Sequence, residues 1–159
     1  MPYTNEDFIQ VIGSISILFS TWDLFSTILA IRLAKRVTPL PNLDRKTLPQ
    51  KLHLLKRLAA SDVVNPEVLN RVHLALPEAL AVAEERNRFI HDQWVFSPES
   101  VPLGEISLLS IQVVMGAEGR TVAMPVRMFR IEDLNAFLSA VGAQQKEFAA
   151  LVSELPLSN

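Results

Sequence analysis

A nearly continuous apolar run close to the N-terminus constrains the fold of this chain more than any other feature. Thr4 is a favourable N-cap residue, and Glu6 and Asp7 place negative charge in the first turn, where the helix dipole favours it. Large apolar side chains then follow at Phe8, Ile9, Val11, Ile12, Ile15, Ile17, Leu18, Phe19, Trp22, Leu24, Phe25, Ile28, Leu29, Ile31 and Leu33. The pattern predicts one long helix that is buried on most of its sides.

This helix would also be long enough to cross a bilayer, and the basic residues within 32–36 follow it as a positive flank would. Asp23 lies inside the run, however, and several serines and threonines make the run less apolar than most membrane spans. We therefore expect a helix buried in a bundle or across a dimer interface, and no membrane. Because an acid in such apolar sequence needs a partner, Asp23 is expected to hydrogen-bond a helix neighbour or to approach Arg86 or His91.

Three further helices are predicted downstream. Thr47, with Pro49 in the first turn, begins a helix that ends near residue 60. Pro66 begins another that continues to residue 90, and Pro77 should kink or split it, because proline removes a backbone donor and crowds the preceding turn. A last amphipathic helix covers about residues 132–155.

The residue pattern changes between the third and fourth predicted helices. Residues 106–115 and 121–129 alternate or are rich in β-forming residues, and two glycines lie in the short segment that joins them. These runs predict a β-hairpin at about residues 105–129, with Pro125 at an edge position or a bulge. The expected fold is mainly α: an up-and-down four-helix bundle with a β-hairpin inserted before the last helix, in one domain covering residues 1–159.

Charge is unevenly distributed along the chain. The net charge is −2, yet residues 32–57 carry eight basic residues and one acid, Asp44, and so have a charge of +7. A solvated polar face at a helix–helix corner would explain this segment. The alternative prediction is a local surface that attracts RNA, with contacts from Arg32, Lys35, Arg36, Lys51, Lys56 and Arg57.

Metal and thiol chemistry have little support in the sequence. The chain contains no cysteine, which excludes disulfide bonds and thiolate metal ligands and is consistent with a reducing cytoplasm. No two histidines have the close helical spacing that a zinc site prefers. We therefore expect a cytoplasmic protein with neither a metal nor a cofactor.

A short segment late in the third helix carries the strongest chemical signal. Arg86 is followed at once by Asn87 and, five positions after the arginine, by His91. An arginine is a permanent cation that binds phosphate, and a histidine exchanges protons near neutral pH. Together they would cleave RNA without a metal, with Arg86 on the scissile phosphate and His91 as general base or acid.

In its helical context this segment resembles the HEPN superfamily of small helical-bundle domains. Ribonuclease members of that superfamily carry an arginine, usually followed by Asn, Asp or His, then four to six residues and a histidine. The resemblance implies that Arg86 and His91 form the catalytic pair and that Asn87 orients the phosphate or the histidine. It further implies a metal-independent endoribonuclease of toxin or phage-defence type that attacks through the ribose 2'-hydroxyl, acts as a homodimer and pairs with an antitoxin protein.

Other interpretations of the same residues stay open. Many members of the superfamily are non-catalytic, so the chain is alternatively predicted to be a dimeric module that binds a protein or nucleotide partner. A purely structural interpretation has Arg86 paired with a nearby acid and His91 at the helix C-terminus, where a positive imidazole is favoured. On an ideal helix Arg86 and His91 lie about 140° apart, so a frayed helix end or a partner subunit is needed to bring them together.

Overall fold

The computed structural model describes the backbone of residues 4–34, 40, 42–60, 66–91, 93–96, 108–115 and 121–155, with side chains for these except residues 5, 87–91, 93–96, 108–115 and 121–128. The α-helices described are α1 (Asn5–Ala34), α2 (Leu48–Ala59), α3 (Pro66–His91) and α4 (Ile131–Glu154). Where side chains are described, 91% of the positions are helical. The mainly α prediction is therefore confirmed.

Side-chain hydrogen bonds cap the N-termini of α1 and α2 at the residues that the sequence predicted. Thr4 donates from its backbone N and from Oγ1 to Asp7 Oδ2, over 2.7 and 2.9 Å, and Asp7 N donates back to Thr4 Oγ1 over 3.3 Å. At α2, Thr47 N donates to Gln50 Oε1 over 3.0 Å. These contacts satisfy backbone donors that the first turn of a helix leaves without partners. The predicted helix starts at Thr4 and Thr47 are confirmed.

Pro77 does not split the third helix. α3 runs from Pro66 to His91 as one element, with Pro77 exposed inside it. Proline removes only one backbone donor, and the same buried face continues on both sides of it through Val72, Leu76 and Ala83. Burial of that continuous face stabilises the helix across the missing hydrogen bond.

The strands between α3 and α4 form one antiparallel sheet. β1 (Gln93–Phe96), β2 (Leu108–Met115) and β3 (Thr121–Phe129) lie in the order β1-β2-β3. The β2–β3 register shifts between Ser110, opposite Arg127, and Ile111, opposite Pro125. The extra residue makes a bulge beside Pro125 on an edge strand of this sheet. The expected edge position and bulge at Pro125 are both confirmed.

The prediction of a hairpin inserted into a four-helix bundle is wrong. The strands belong to a three-stranded sheet that begins two residues after the end of α3. Within the part of the chain whose side chains are described, no complete strand is present. Sequence analysis missed β1, since four residues are too few to show a period. Pairing with β2, in which Gln93 lies opposite Ile111 and Phe96 opposite Leu108, determines this strand.

Packing divides the chain into two compact units, each with its own core. The first comprises residues 1–15 and 85–139, and the second comprises residues 16–84 and 140–159. In the first unit, Phe8, Phe129, Ile131 and Leu134 form a buried cluster. The prediction of a single domain over residues 1–159 stays a prediction.

Aromatic rings lie at the centre of the second unit. Trp22 is fully buried, with its ring centroid 5.1 Å from that of Phe19 and 5.7 Å from that of Phe148 on α4. Tilted and edge-on ring pairs at these separations are favourable beyond the area that they bury. The contact between Trp22 and Phe148 therefore fixes α1 against α4 within this unit.

α1 is not buried on most of its sides. Its exposed face carries Ile17, Leu24 and Ile31, which are 69, 55 and 58% exposed. Residues 6–34 are long and apolar enough to cross a membrane, with 33% of the most apolar window buried. Hydropathy predicted the helix correctly but overestimated its burial, because only one face of α1 has packing partners within the described parts of the chain.

Candidate functional site

The three motif residues lie in the last two turns of α3. Arg86 is half-buried, and its Nε atom is inaccessible to solvent. The backbone stays helical through Asn87 to His91. The side chains of Asn87 and His91 lie outside the described residues.

The helical backbone still fixes how the motif positions are arranged. Five residues along an α-helix correspond to a rotation of about 140° and a rise of about 7.5 Å, which separates position 86 from position 91. Positions 87 and 91 are one turn apart on the same face. A frayed helix end would have brought Arg86 and His91 together, but α3 extends to His91. Positions 86 and 91 therefore do not share one face of α3.

Arg32, a predicted RNA contact, has partners inside the protein. Its Nη1 donates to the carbonyl oxygen of Leu155 over 2.6 Å and also to that of Val152. These carbonyls lie at the C-terminal end of α4, where backbone acceptors lack helical partners and the helix dipole favours a cation. Lys35 and Arg36 lie outside the described residues.

Lys51 is also engaged inside the protein. It is 3% exposed, and its Nζ lies 2.6 Å from Asp23 Oδ2 on α1. The expectation that Asp23 needs a partner is confirmed, but the partner found is neither a neighbour on its own helix nor the Arg86 motif. A buried ammonium requires such a counter-ion. The charge of Lys51 is therefore paired inside the protein, away from solvent.

Among the predicted RNA contacts whose side chains are described, those with exposed charge lie at the end of α2. Lys56 and Arg57 are exposed in the last helical turn, and Arg45 is exposed in the 3-10 turn Leu43–Arg45. Positive charge at the C-terminus of a helix is favourable without any ligand. Within the described part of the chain, Lys56 and Arg57 are therefore the predicted RNA contacts whose charge is most accessible to solvent or to a phosphate.

Sequence analysis overlooked an ion cluster between α3 and α4. Arg71 Nη2 lies 2.9 Å from Glu147 Oε1, and Nη1 pairs with Glu154. Hydrogen bonds to Glu154 and Glu147 raise the pKa of Arg71 above its ordinary value. Glu147 and Glu154 are seven residues apart, which puts them on one face of α4. That spacing indicates that the two glutamates share a face of α4, but it does not identify Arg71 as their partner.

Beside this cluster is an open groove of about 400 Å³. Leu74, Ala75 and Ala143 give it apolar walls, and Glu78 and Gln144 add polar groups. The Oε1 atom of Gln144 is buried and faces no hydrogen-bond donor. Within the described parts of the chain, no three histidine, aspartate or glutamate side chains are grouped closely enough to hold a metal ion.

Comparisons of the chain with protein-family models, with characterised proteins and with solved structures find no match. The resemblance to the HEPN superfamily therefore stays a prediction from Arg86, Asn87 and His91 and from the helical setting of this motif.

Proposed function

We propose that this chain is a metal-independent endoribonuclease of toxin or phage-defence type that works as a homodimer. The observation that supports the proposal is the Arg86-Asn87-x3-His91 motif at the end of α3. A permanent cation, an amide and a proton-transfer group within two helical turns are the groups that metal-free phosphodiester cleavage requires.

The proposed reaction proceeds in one displacement. His91 removes the proton from a ribose 2'-hydroxyl, and the oxygen attacks the adjacent phosphorus. The bond to the 5'-oxygen breaks, and that oxygen takes a proton from a protonated imidazole, which leaves a 2',3'-cyclic phosphate and a 5'-hydroxyl. Arg86 stabilises the charge that builds on the phosphoryl oxygens, and Asn87 orients the phosphate or the imidazole.

The arrangement of the motif on α3 supports a dimer in this proposal. Because positions 86 and 91 lie about 140° apart on a helix, one motif cannot place both groups on one face. Two copies of the motif in a shared cleft provide a base and an acid, with His91 of the partner subunit as the second proton-transfer group. A cognate antitoxin would then act by covering this cleft.

RNA would approach through exposed basic residues. Lys56 and Arg57 have accessible charge. Lys35 and Arg36 lie outside the described residues and stay contacts predicted from the sequence. Arg32 and Lys51 contribute less to it, because both have partners inside the protein. Binding through phosphate contacts must weaken with added salt, since each contact releases counterions.

The test is cleavage of a mixed RNA substrate in EDTA by the wild-type protein and by His91→Ala. His73→Ala is the matched control, because His73 is an exposed histidine earlier on α3 and outside the motif. We expect cyclic-phosphate ends from the wild type and from His73→Ala, and a loss of at least about 100-fold in His91→Ala. Failure of the folded wild type to cleave RNA, or full activity in His91→Ala, would overturn the proposal.

The second candidate is a non-catalytic dimeric module that binds a protein or nucleotide partner. It is favoured by the internal partners of Arg32 and Lys51, which reduce the positive surface available to RNA. Filter binding of RNA at increasing salt separates the two candidates. Binding that does not weaken with salt, in the absence of cleavage, supports the module.

A further inference from the structure

We propose that the groove between α3 and α4 binds a small alkylguanidinium ion, whose head pairs with Glu78 and with the side-chain carbonyl of Gln144 while its alkyl stem lies against Leu74. The groove has a volume of about 400 Å³. Small-molecule sites typically have volumes of about 300–1,000 Å³. Every residue that lines the groove belongs to the second packing unit. The inference does not depend on the ribonuclease proposal.

The side chain of Gln144 points to a ligand that donates hydrogen bonds. Gln144 lines the groove and is 4% exposed, and its Oε1 atom has no hydrogen-bond donor within the described parts of the chain. A buried carbonyl oxygen without a donor is costly, and such an atom calls for a bound water or ligand. The last torsion of a glutamine side chain is soft, so the amide can turn Oε1 towards a donor in the groove. An N–H group of a ligand would satisfy this acceptor.

The charges at the groove favour a cation. Arg71 donates from Nε and Nη2 to Glu147 and from Nη1 to Glu154, so its guanidinium is already engaged. Glu78 is exposed and has no ion-pair partner within the described parts of the chain. Three carboxylates thus accompany one guanidinium, which is an excess of two negative charges. A cation would pair with Glu78, whereas an anion would be repelled.

Apolar side chains determine the other half of the ligand. Leu74, Ala75 and Ala143 line the groove between its polar groups, and Leu74 is 70% exposed. Positions 71, 74, 75 and 78 follow one another at steps of one to three residues, which keeps them on one side of α3 over about two turns. An alkyl stem on this side would cover Leu74 and remove apolar surface from water.

A guanidinium head fits the two polar groups better than an ammonium head does. The guanidinium is planar, and its N–H donors point in several directions within that plane. It is also more weakly hydrated than an ammonium ion, so it loses less when it leaves water. One edge of the head would donate to the carboxylate of Glu78 and another to the carbonyl of Gln144.

Calorimetric titration of the full chain with n-butylguanidinium tests the proposal. We expect saturable binding, and NMR spectra recorded during the titration should show a shift of the side-chain amide signal of Gln144. n-Butylurea has the same shape and N–H donors without the charge, and it should bind at least about tenfold more weakly. n-Butylammonium should bind about threefold more weakly.

Substitutions locate the binding in the groove. Gln144→Met removes the acceptor and should weaken binding of n-butylguanidinium at least about tenfold. Glu78→Gln should weaken it about threefold, because solvent screens the exposed carboxylate. Glu84→Gln is the matched control, since Glu84 is an exposed glutamate of α3 that does not line the groove, and it should change nothing. Circular dichroism of each variant establishes that it is folded.

Three outcomes would overturn the proposal. The first is a folded wild-type chain that does not bind n-butylguanidinium, or that binds it without a shift of the Gln144 signal. The second is unchanged affinity in Glu78→Gln and in folded Gln144→Met. The third is equal affinity for n-butylurea or n-butylammonium, which would show that a guanidinium head is not selected. Tighter binding of a capped Gly-Arg-Gly peptide than of n-butylguanidinium would assign the groove to a protein partner and overturn the small-molecule assignment.

Discussion

Lys51 on α2 donates a hydrogen bond to Asp23 on α1 over 2.6 Å, and the two side chains differ sharply in exposure, at 4% for Lys51 and 38% for Asp23. The ammonium is almost completely removed from water and pairs with the carboxylate, whereas the carboxylate is partly exposed to water. The two ends of this ion pair are therefore not equivalent, and removing one or the other should have different consequences.

Asp23→Ala should lower the free energy of unfolding by about 3 kcal/mol, because it leaves a buried ammonium without a counter-ion. Lys51→Met should cost about 1 kcal/mol or less, since methionine replaces most of the apolar stem and Asp23 stays partly hydrated. Urea denaturation of both variants gives the comparison. An equal or larger loss in Lys51→Met would contradict the asymmetry.

Arg32→Ala should lower the free energy of unfolding by about 1–2 kcal/mol, because it removes the donor to the carbonyl oxygens of Val152 and Leu155 at the end of α4. Urea denaturation and RNA filter binding, performed on the same preparation, separate this structural role from RNA contact. Arg57→Ala is the control for stability, because Arg57 is exposed. Unchanged stability together with lost RNA binding in Arg32→Ala would assign Arg32 to the RNA surface instead.

Arg71→Met should have a smaller effect than Asp23→Ala, although Arg71 pairs with both Glu147 and Glu154. All three side chains are between 32 and 40% exposed, so solvent screens their interaction. We expect a loss of about 1 kcal/mol or less at low ionic strength, and less at high salt. Urea denaturation at two salt concentrations measures this. A loss that does not change with salt would indicate packing by the arginine stem instead.

The N-cap of α1 should make stability depend on pH. Hydrogen bonds from the backbone and the hydroxyl of Thr4 lower the pKa of Asp7 below its ordinary value of 3.8. Because the pKa is lower in the folded state, the stabilisation is fully present above 3.8 and is lost as the pH falls through the folded-state pKa. The difference in unfolding free energy between wild type and Asp7→Asn should therefore shrink below 3.8. Urea denaturation in a pH series tests this, and a constant difference would show that the charge of Asp7 is not involved.

Gly142→Ala should stabilise the protein by about 0.5–1 kcal/mol, because glycine in a helix interior costs conformational entropy. A Cβ atom at this position would lie 3.6 Å from Leu18 Cδ1, which is an ordinary contact. Gly13→Ala on α1 is the matched control, since a Cβ there meets no atom within 4 Å. Thermal denaturation of both variants measures the effect, and destabilisation by Gly142→Ala alone would reveal tighter packing between α1 and α4 than this distance implies.

Local signals in the sequence predicted the helices well and the sheet poorly. Thr4, Thr47 and Pro66 lie at or next to helix starts because capping and proline preferences act within one turn of the chain. β1 escaped prediction, because a four-residue strand is defined by its partner β2 and not by its own pattern. The split at Pro77, one of the two expected effects of this proline, does not occur, since the buried face of α3 outweighs one missing hydrogen bond.

For the candidate site, the sequence by itself determined the residues of the motif and, through the helical period, that Arg86 and His91 do not share a helix face. It also predicted that Asp23 needs a partner, because an acid within an apolar run is costly to bury without one. Only the tertiary structure decided that the partner is Lys51, and that Arg32 binds the end of α4 and is not simply exposed. The physical reason is that a side chain's partner, and hence its availability to a ligand, is decided by contacts between residues distant in the chain, and the pattern around each residue does not encode those contacts.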